Sequence, residues 1–145
     1  ARYQGFVNAL RAHDIEPDPE LIQPGAFTFA SGRDAAHQLL SRRQRPTAVF
    51  ASNDDMALGV LAAAQRLGLA VPGELSVAGF DDSPTAALVW PPLTTVRQPV
   101  AEMARTAVEM LVSVQRPDMA AAFDETDIHK VLPHELVVRD STRAR

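Results

Sequence analysis

The stretch Thr47–Ala51, which reads TAVFA, decides the fold of this chain. It is a continuous apolar run of strand length, and the polar residues Ser52–Asp55 follow it directly before a helical pattern begins. A second apolar run, Leu75–Phe80, is followed in the same way by Asp81–Ser83. Short buried strands that alternate with helical patterns predict an α/β fold, a parallel sheet flanked by helices.

Helical patterns lie on either side of these runs. Pro99 suits the first position of a late helix, which we expect to run to about Val114. The apolar residues near the start of the chain recur at helical spacing, and they are Tyr3, Phe6, Val7 and Leu10. The apolar stripe of the late helix consists of Val100, Met103, Ala104, Ala107, Val108, Leu111 and Val112.

The composition excludes several classes of protein. The chain has 145 residues, of which 46% are hydrophobic, as in ordinary globular domains. Its net charge of −4 and the lack of a basic stripe argue against stand-alone nucleic-acid binding, because neutralising phosphates needs clustered Lys and Arg. The absence of cysteine excludes disulfides and thiolate sites. No apolar run approaches the ~18–20 residues of a membrane span, so we expect no membrane contact.

An enzyme needs a nucleophile, a base or a metal, and the sequence offers no complete set. It contains neither a phosphate-cradling glycine motif nor a Gly-x-Ser-x-Gly elbow. His129 and His134 are five residues apart, so on a strand they face opposite sides. The adjacent carboxylates at 54–55 and 81–82 lack a partner base or nucleophile. We therefore expect no catalytic residue, no metal site and no cofactor.

A binding site fits the residues better. Ligands of parallel sheets bind beyond the carboxyl ends of the strands, where Asn53 and Asp81 lie. Asn53 can donate and accept hydrogen bonds and an ionised Asp81 can accept them, which suits a hydroxyl-rich ligand. Arg2 offers a fork of donors, and Phe27 offers a ring for the apolar face of a sugar or base.

The same residues also have ordinary structural interpretations. Asn53 and its neighbour Asp54 can cap the following helix, and Asp81 with Asp82 can form a turn. The aromatic side chain at 27 can be packed within its loop, and the arginine can be a solvated helix residue. Spacing alone leaves both interpretations open.

The helix predicted from Asp54 to Leu67 is apolar almost all round. A helix of that kind must be buried on more than one side, whereas a small doubly wound domain leaves one helix face in water. The apolar stretch Ala86–Pro92 extends the same surface. The pattern predicts an oligomer interface, and the alternative is a second lobe that covers both segments.

These patterns together resemble the effector-binding domain of the lactose/galactose repressor family of bacterial transcription regulators. The resemblance is carried by Pro46–Gly59, by Val71–Asp82 (VPGELSVAGFDD) and by Pro91–Pro99 (PPLTTVRQP). The opening RYQGF at 2–6 and the closing LPHELVVRDST at 132–142 match the family too. Several linked motifs in the family's order are more specific than any one alone, and they span nearly the whole chain.

The resemblance implies a two-lobed architecture like that of periplasmic sugar-binding proteins. Residues 1–97 would form the C-terminal lobe, and residues 98–126 a crossover helix and connector that belong to the N-terminal lobe. Residues 127–140 would form a returning strand, and we expect 141–145 to be a frayed tail. The DNA-binding headpiece and most of the N-terminal lobe are then absent, and the crossover helix lacks its usual cover.

The resemblance also assigns roles to residues. The positions that match effector contacts in the family are Arg2, Phe27, Asn53 and Asp81, with Gln98 at the crossover between the lobes. The resemblance further implies that the helix after Asn53 and the segment near Trp90 form a dimer. The residues expected at that interface are Asp55, Leu58, Ala62, Val89 and Trp90.

The leading hypothesis is therefore the effector-sensing part of a cytoplasmic transcription regulator that needs no cofactor. A sugar or related small metabolite would bind between the lobes and control operator binding by a homodimer or a dimer of dimers. Operator DNA would be contacted only through the missing headpiece. The alternative is a periplasmic sugar-binding protein of an ABC transport system, which needs a signal peptide and usually works as a monomer. An enzyme on the same sheet is a third hypothesis.

Overall fold

The computed structural model describes residues 1–115 and 129–144. Short 3-10 helices lie at Pro19–Leu21 and Pro84–Ala87. The longer elements, in chain order, are α1 (Arg2–Ala12), α2 (Phe29–Leu40), β1 (Ala48–Phe50), α3 (Asp54–Arg66), β2 (Ser76–Ala78), β3 (Thr95–Arg97), α4 (Val100–Gln115) and β4 (Glu135–Val137). The predicted α/β class is confirmed.

The strands that carry the polar residues are parallel, as predicted. β1 pairs with β2 so that Val49 lies opposite Val77. A parallel bridge between Ala78 and Thr94 continues the pairing beyond β2. β3 and β4 pair with each other in a second two-stranded sheet. β4 is shorter than the returning strand expected over 127–140, in keeping with Pro133, which has no N–H to donate to a ladder.

The chain divides into two compact units. The first comprises Ala1–Val96 together with the segment from Leu136 onward, and the second comprises Arg97–Glu135. Residues 116–128, which include most of the predicted connector, lie outside the described residues. Within the second unit, large apolar side chains of α4 are exposed, namely Val100, Met103, Val108, Leu111 and Val112.

The core of the first unit joins α2 and α3 to the strands. Val77, Leu93 and Ala57 have no exposed surface, and Leu75 retains 1%. Full burial of a leucine or valine side chain contributes roughly 1.5–3 kcal/mol, so this cluster supplies much of the driving force for folding. The core therefore includes β2 and α3, the elements next to the polar residues at 81–83 and 53–55.

The helices α2 and α3 approach each other so closely that only glycine fits at two contact points. A Cβ atom at Gly32 would overlap the backbone of Met56, and one at Gly59 would overlap the carbonyl oxygen of Phe29 and the amide of Arg33. Because Met56 belongs to the first turn of α3, this contact fixes where α3 begins relative to α2.

The prediction of a frayed tail over 141–145 is wrong at its first residue. The side chain of Ser141 is fully buried. Its hydroxyl donates to the carbonyl of Val77 at 2.6 Å and accepts the amide of Thr94 at 2.8 Å. These two hydrogen bonds satisfy buried backbone groups of Val77 and Thr94, and they hold the segment at 141 in place even near the end of the sequence.

We expect Gly59→Ala to lower the free energy of unfolding by about 1–3 kcal/mol, because the added methyl group has no room against α2. Gly5→Ala is the matched control. Gly5 also lies within a helix, but nothing lies within 4 Å of an added Cβ, so the helix-propensity gain of about 0.5–1 kcal/mol should stabilise the fold. Urea unfolding measures both. Equal stabilisation by the two substitutions would contradict the close contact.

Candidate functional site

An ion pair joins the first residue of α1 to the carboxyl end of β2. The guanidinium of Arg2 donates to Asp81 Oδ1 at 2.8 Å and to the backbone carbonyl of Ser52. The carbon at the centre of the same guanidinium lies 4.1 Å from the ring centroid of Phe80, which is cation–π distance. Arg2 is therefore held by the residues that follow both β1 and β2.

The pair combines opposite charges in a partly solvated place. Arg2 and Asp81 keep 30% and 35% of their side-chain surface exposed. At such exposure an ion pair contributes only about 0–1 kcal/mol to stability, so stabilisation of the fold does not account for its presence. It does place a donor fork and an acceptor side by side, with no net charge, at the edge where parallel sheets bind ligands.

Asn53 links α3 to the loop that precedes α2. Its Oδ1 accepts the amide of Met56 at 3.0 Å, which makes Asn53 the N-cap of α3. Its Nδ2 donates to the carbonyl of Phe27 at 3.0 Å. Phe27 has a positive φ of 57° and leaves 57% of its surface exposed, so its ring is not packed within the loop. The cap interpretation of Asn53 is correct, and the same residue also holds the backbone of the loop that carries the exposed aromatic.

Asp54 has a role that the sequence analysis missed. Its carboxylate does not cap α3. Asp54 is 1% exposed, and it accepts the amide of Ser83 at 2.7 Å and the hydroxyl of Thr95 at 2.6 Å. A signal was present, because two adjacent carboxylates begin a helix that is apolar almost all round, and a carboxylate that faces the core needs donors from elsewhere.

Arg139 is a second residue that the sequence analysis missed. It forms an ion pair with Asp82 at 2.6 Å and donates to the carbonyl of Leu93 at 2.8 Å. The two side chains are 18% and 9% exposed, so this pair is far more buried than the pair of Arg2 and Asp81. Consecutive aspartates thus divide their work, since Asp81 binds Arg2 and Asp82 binds Arg139.

A protein-family model for the periplasmic-binding-protein-like domain matches residues 1–142. This chain belongs to that family. Its relatives include the HTH-type transcriptional repressor CytR of Escherichia coli K12, which is 43% identical over 143 residues, or 99% of this chain. The HTH-type repressor PurR of Pectobacterium carotovorum is 44% identical over 111 residues, or 77% of this chain. The chain spans 40% and 33% of the length of these two relatives.

Solved structures agree with the relatives. A complex of the transcriptional regulator CelR with cellobiose superimposes with a TM-score of 0.86 at 37% identity, covering 96% of this chain and 41% of that chain. A sugar-binding regulator of the LacI family from E. coli, complexed with phosphate, gives 0.85 at 37% identity, covering 99% of this chain and 50% of that chain. The predicted resemblance to effector domains of this regulator family is confirmed.

The periplasmic-binding-protein-like domain carries an apolar groove on its first unit. The groove has a volume of about 570 Å³ and is lined from α3, from the start of α2 and from the segment 89–91. Four of the residues predicted for a dimer interface line it, namely Leu58, Ala62, Val89 and Trp90. The fifth, Asp55, is exposed in the first turn of α3. Trp90 itself leaves 88% of its surface exposed.

The remaining predicted site residue, Gln98, belongs to the second unit of the domain. There its backbone carbonyl accepts the amide of Val100 at 2.9 Å, and its role in ligand binding stays a prediction. Among residues 1–115 and 129–144, no group of three or more His, Asp or Glu side chains is arranged to hold a metal ion. No helix in that part of the domain is long and apolar enough to cross a membrane.

The two bonds of Asn53 are separable by substitution. We expect Asn53→Asp to keep the cap of α3, because a carboxylate oxygen still accepts the amide of Met56. It removes the donor to Phe27, so backbone amides of residues 26–30 should exchange with solvent faster. Asn53→Ala should lose both bonds and about 0.5–2 kcal/mol of stability. Hydrogen exchange and thermal unfolding measure the two effects, and equal protection of 26–30 in Asn53→Asp and the unsubstituted chain would contradict this.

Proposed function

We propose that this domain binds a small, neutral molecule with several hydroxyl groups, a sugar or a related metabolite, at the carboxyl edge of its sheet. The observation that carries the proposal is the partly exposed pair of Arg2 and Asp81. A guanidinium only donates hydrogen bonds and a carboxylate only accepts them. Adjacent hydroxyl groups, each a donor and an acceptor, can therefore engage both partners at once.

The balance of charge supports a neutral ligand over an anionic one. The charge of Arg2 is already matched by Asp81 at 2.8 Å. An anion bound to the guanidinium would lie beside the Asp81 carboxylate, and like charges at that range repel. The exposed ring of Phe27 supports a ligand with an apolar face, such as a sugar ring or a base.

We propose further that ligand binding is a regulatory signal and not a catalytic step. The relatives are transcriptional repressors, and the Thr95 hydroxyl, which donates to the Asp54 carboxylate, is fully buried and therefore not available to attack a bound molecule. In the complete protein the ligand would bind between two lobes, with Gln98 at the crossover, and shift the affinity of a dimer for operator DNA. We propose that the complete protein is cytoplasmic and that it contacts DNA through a part that lies outside these 145 residues.

We expect a panel of neutral mono- and disaccharides and nucleosides, with cellobiose included, to contain a binder detectable by calorimetry. Asp81→Asn and Arg2→Gln should each weaken that binder by about tenfold or more, because hydrogen bonds to charged groups contribute about 1.5–3 kcal/mol. Inorganic phosphate, run in parallel, should bind more weakly than the best neutral member.

The matched controls are Arg33→Gln and Asp34→Asn, which break an exposed ion pair that is also 2.8 Å long. They should leave affinity unchanged within about twofold, as surface pairs contribute little. A neutral binder whose affinity does not respond to Asp81→Asn would place the site elsewhere. Tighter binding of phosphate than of every neutral compound would overturn the ligand class.

We propose that two copies of the chain associate through the groove lined by α3 and the segment 89–91. Leu88 and Trp90 are 83% and 88% exposed beside a groove that is itself apolar, and large exposed apolar patches mark interaction surfaces. Tryptophan is among the residues that contribute most to binding energy at interfaces. The regulatory role proposed above also needs a dimer.

We expect Trp90→Asp to raise the dimer dissociation constant at least about tenfold, because it puts a charge where a ring would be buried. Val131→Asp is the matched control, since Val131 is 95% exposed and lies outside the groove. Sedimentation equilibrium over a range of concentrations measures both variants. A monomeric unsubstituted chain, or equal weakening by the two substitutions, would count against the groove.

A further inference from the structure

One buried carboxylate ties together the three segments that surround Asp81. Asp54, in the first turn of α3, is 1% exposed. Its Oδ2 accepts the amide of Ser83, which follows the turn after β2, and its Oδ1 accepts the hydroxyl of Thr95 in β3. Both bonds are short, at 2.7 and 2.6 Å, as is usual when the acceptor is ionised.

The turn between these contacts is strained. Asp81 has a φ of 122° and Asp82 a φ of 55°, and positive values are unfavourable for residues with a Cβ atom. Such a conformation persists only when several contacts over-determine it. Here the amide of Asp81 donates to the carbonyl of Val96 at 2.9 Å, and the amide of Ser83 donates to Asp54. The strained turn directs the Asp81 carboxylate toward Arg2.

The chain makes room for Asp54 at a specific point. A Cβ atom at Gly79 would overlap Asp54 Oδ1, so the residue that directly follows β2 must be glycine for the carboxylate to reach Thr95. Asn53 already supplies the cap of α3, so capping does not explain a second polar residue there. An ionised group at this depth is costly to bury and is stabilised by its two donors and by the helix N-terminus.

We propose that Asp54 is a positioning residue of the effector site. It does not contact the ligand. It holds the turn at 81–83 so that the Asp81 carboxylate meets Arg2 at the carboxyl edge of the sheet, where the ligand is proposed to bind. The proposal rests on the function proposed above, in which Asp81 contacts the effector.

The test compares Asp54→Ala, Asp54→Asn and Ser83→Ala in the 145-residue chain, at a temperature where circular dichroism shows each variant folded. One readout needs no ligand, namely the NMR resonance of the Arg2 Nε–H group. The other is the affinity for cellobiose by calorimetry. Ser83→Ala is the matched control, because the Ser83 hydroxyl has no hydrogen-bond partner in the described part of the chain and its backbone amide still donates to Asp54.

We expect Asp54→Ala to move the Arg2 resonance toward that of exposed arginines and to weaken cellobiose binding about tenfold or more. Asp54→Asn should restore most of both, because its oxygen accepts the Ser83 amide and its amide group donates to the Thr95 hydroxyl. Ser83→Ala should leave both readouts unchanged within about twofold. A folded Asp54→Ala chain with an unshifted Arg2 resonance and unchanged affinity would overturn the proposal.

Two further outcomes remain decisive. If the unsubstituted chain binds no cellobiose, the tightest neutral binder of the panel takes its place. A panel without any binder counts against the proposed ligand, and the Arg2 resonance alone then supports or overturns the role of Asp54. If Asp54→Ala does not fold, Asp54→Ser replaces it, since the shorter side chain cannot reach both the Ser83 amide and the Thr95 hydroxyl. A shifted Arg2 resonance in Asp54→Ser supports positioning, and an unshifted one overturns it.

Discussion

The buried carboxylate of Asp54 is the constraint on which the candidate site depends. An ionised group that is 1% exposed must find donors, and it finds them in a backbone amide beyond β2 and a hydroxyl on β3. Meeting that requirement brings the start of α3, the turn at 81–83 and β3 to fixed positions around one point. The site is thus built on a polar interaction inside an otherwise apolar core.

Neighbouring polar residues at this edge do different things because they face different directions. Asn53 turns outward to its own helix and to Phe27, while Asp54 turns inward to Thr95. The adjacent aspartates at 81 and 82 also bind different partners, Asp81 the arginine at 2, which is 30% exposed, and Asp82 the arginine at 139, which is 18% exposed. In each case one neighbour is more exposed than the other, Asn53 more than Asp54 and Asp81 more than Asp82.

Much of the fold was predictable because its signals are local. Apolar runs such as 47–51 mark strands, and the polar residues after them mark the edge where ligands bind. The role of Asp54 was not predictable in this way, because its two donors lie 29 and 41 residues further along the chain. Arg139 and Ser141 were missed for the same reason, since Asp82 and Val77, to which they donate, lie 57 and 64 residues earlier in the chain. The local sequence pattern therefore predicts where the site lies. The arrangement of its side chains depends on hydrogen bonds between buried polar groups that are far apart in the sequence.

The hydrogen bonds of Ser141 affect the order in which the domain folds during synthesis. Its hydroxyl bonds the carbonyl of Val77 across a sequence separation of 64 residues, and the amide of Thr94 depends on the same side chain. Contacts that close such long loops form late, because the chain must lose much conformational entropy before the contact can stabilise the fold. During synthesis on the ribosome, β1 and β2 can therefore form early, but their sheet stays incompletely hydrogen-bonded until residue 141 has emerged.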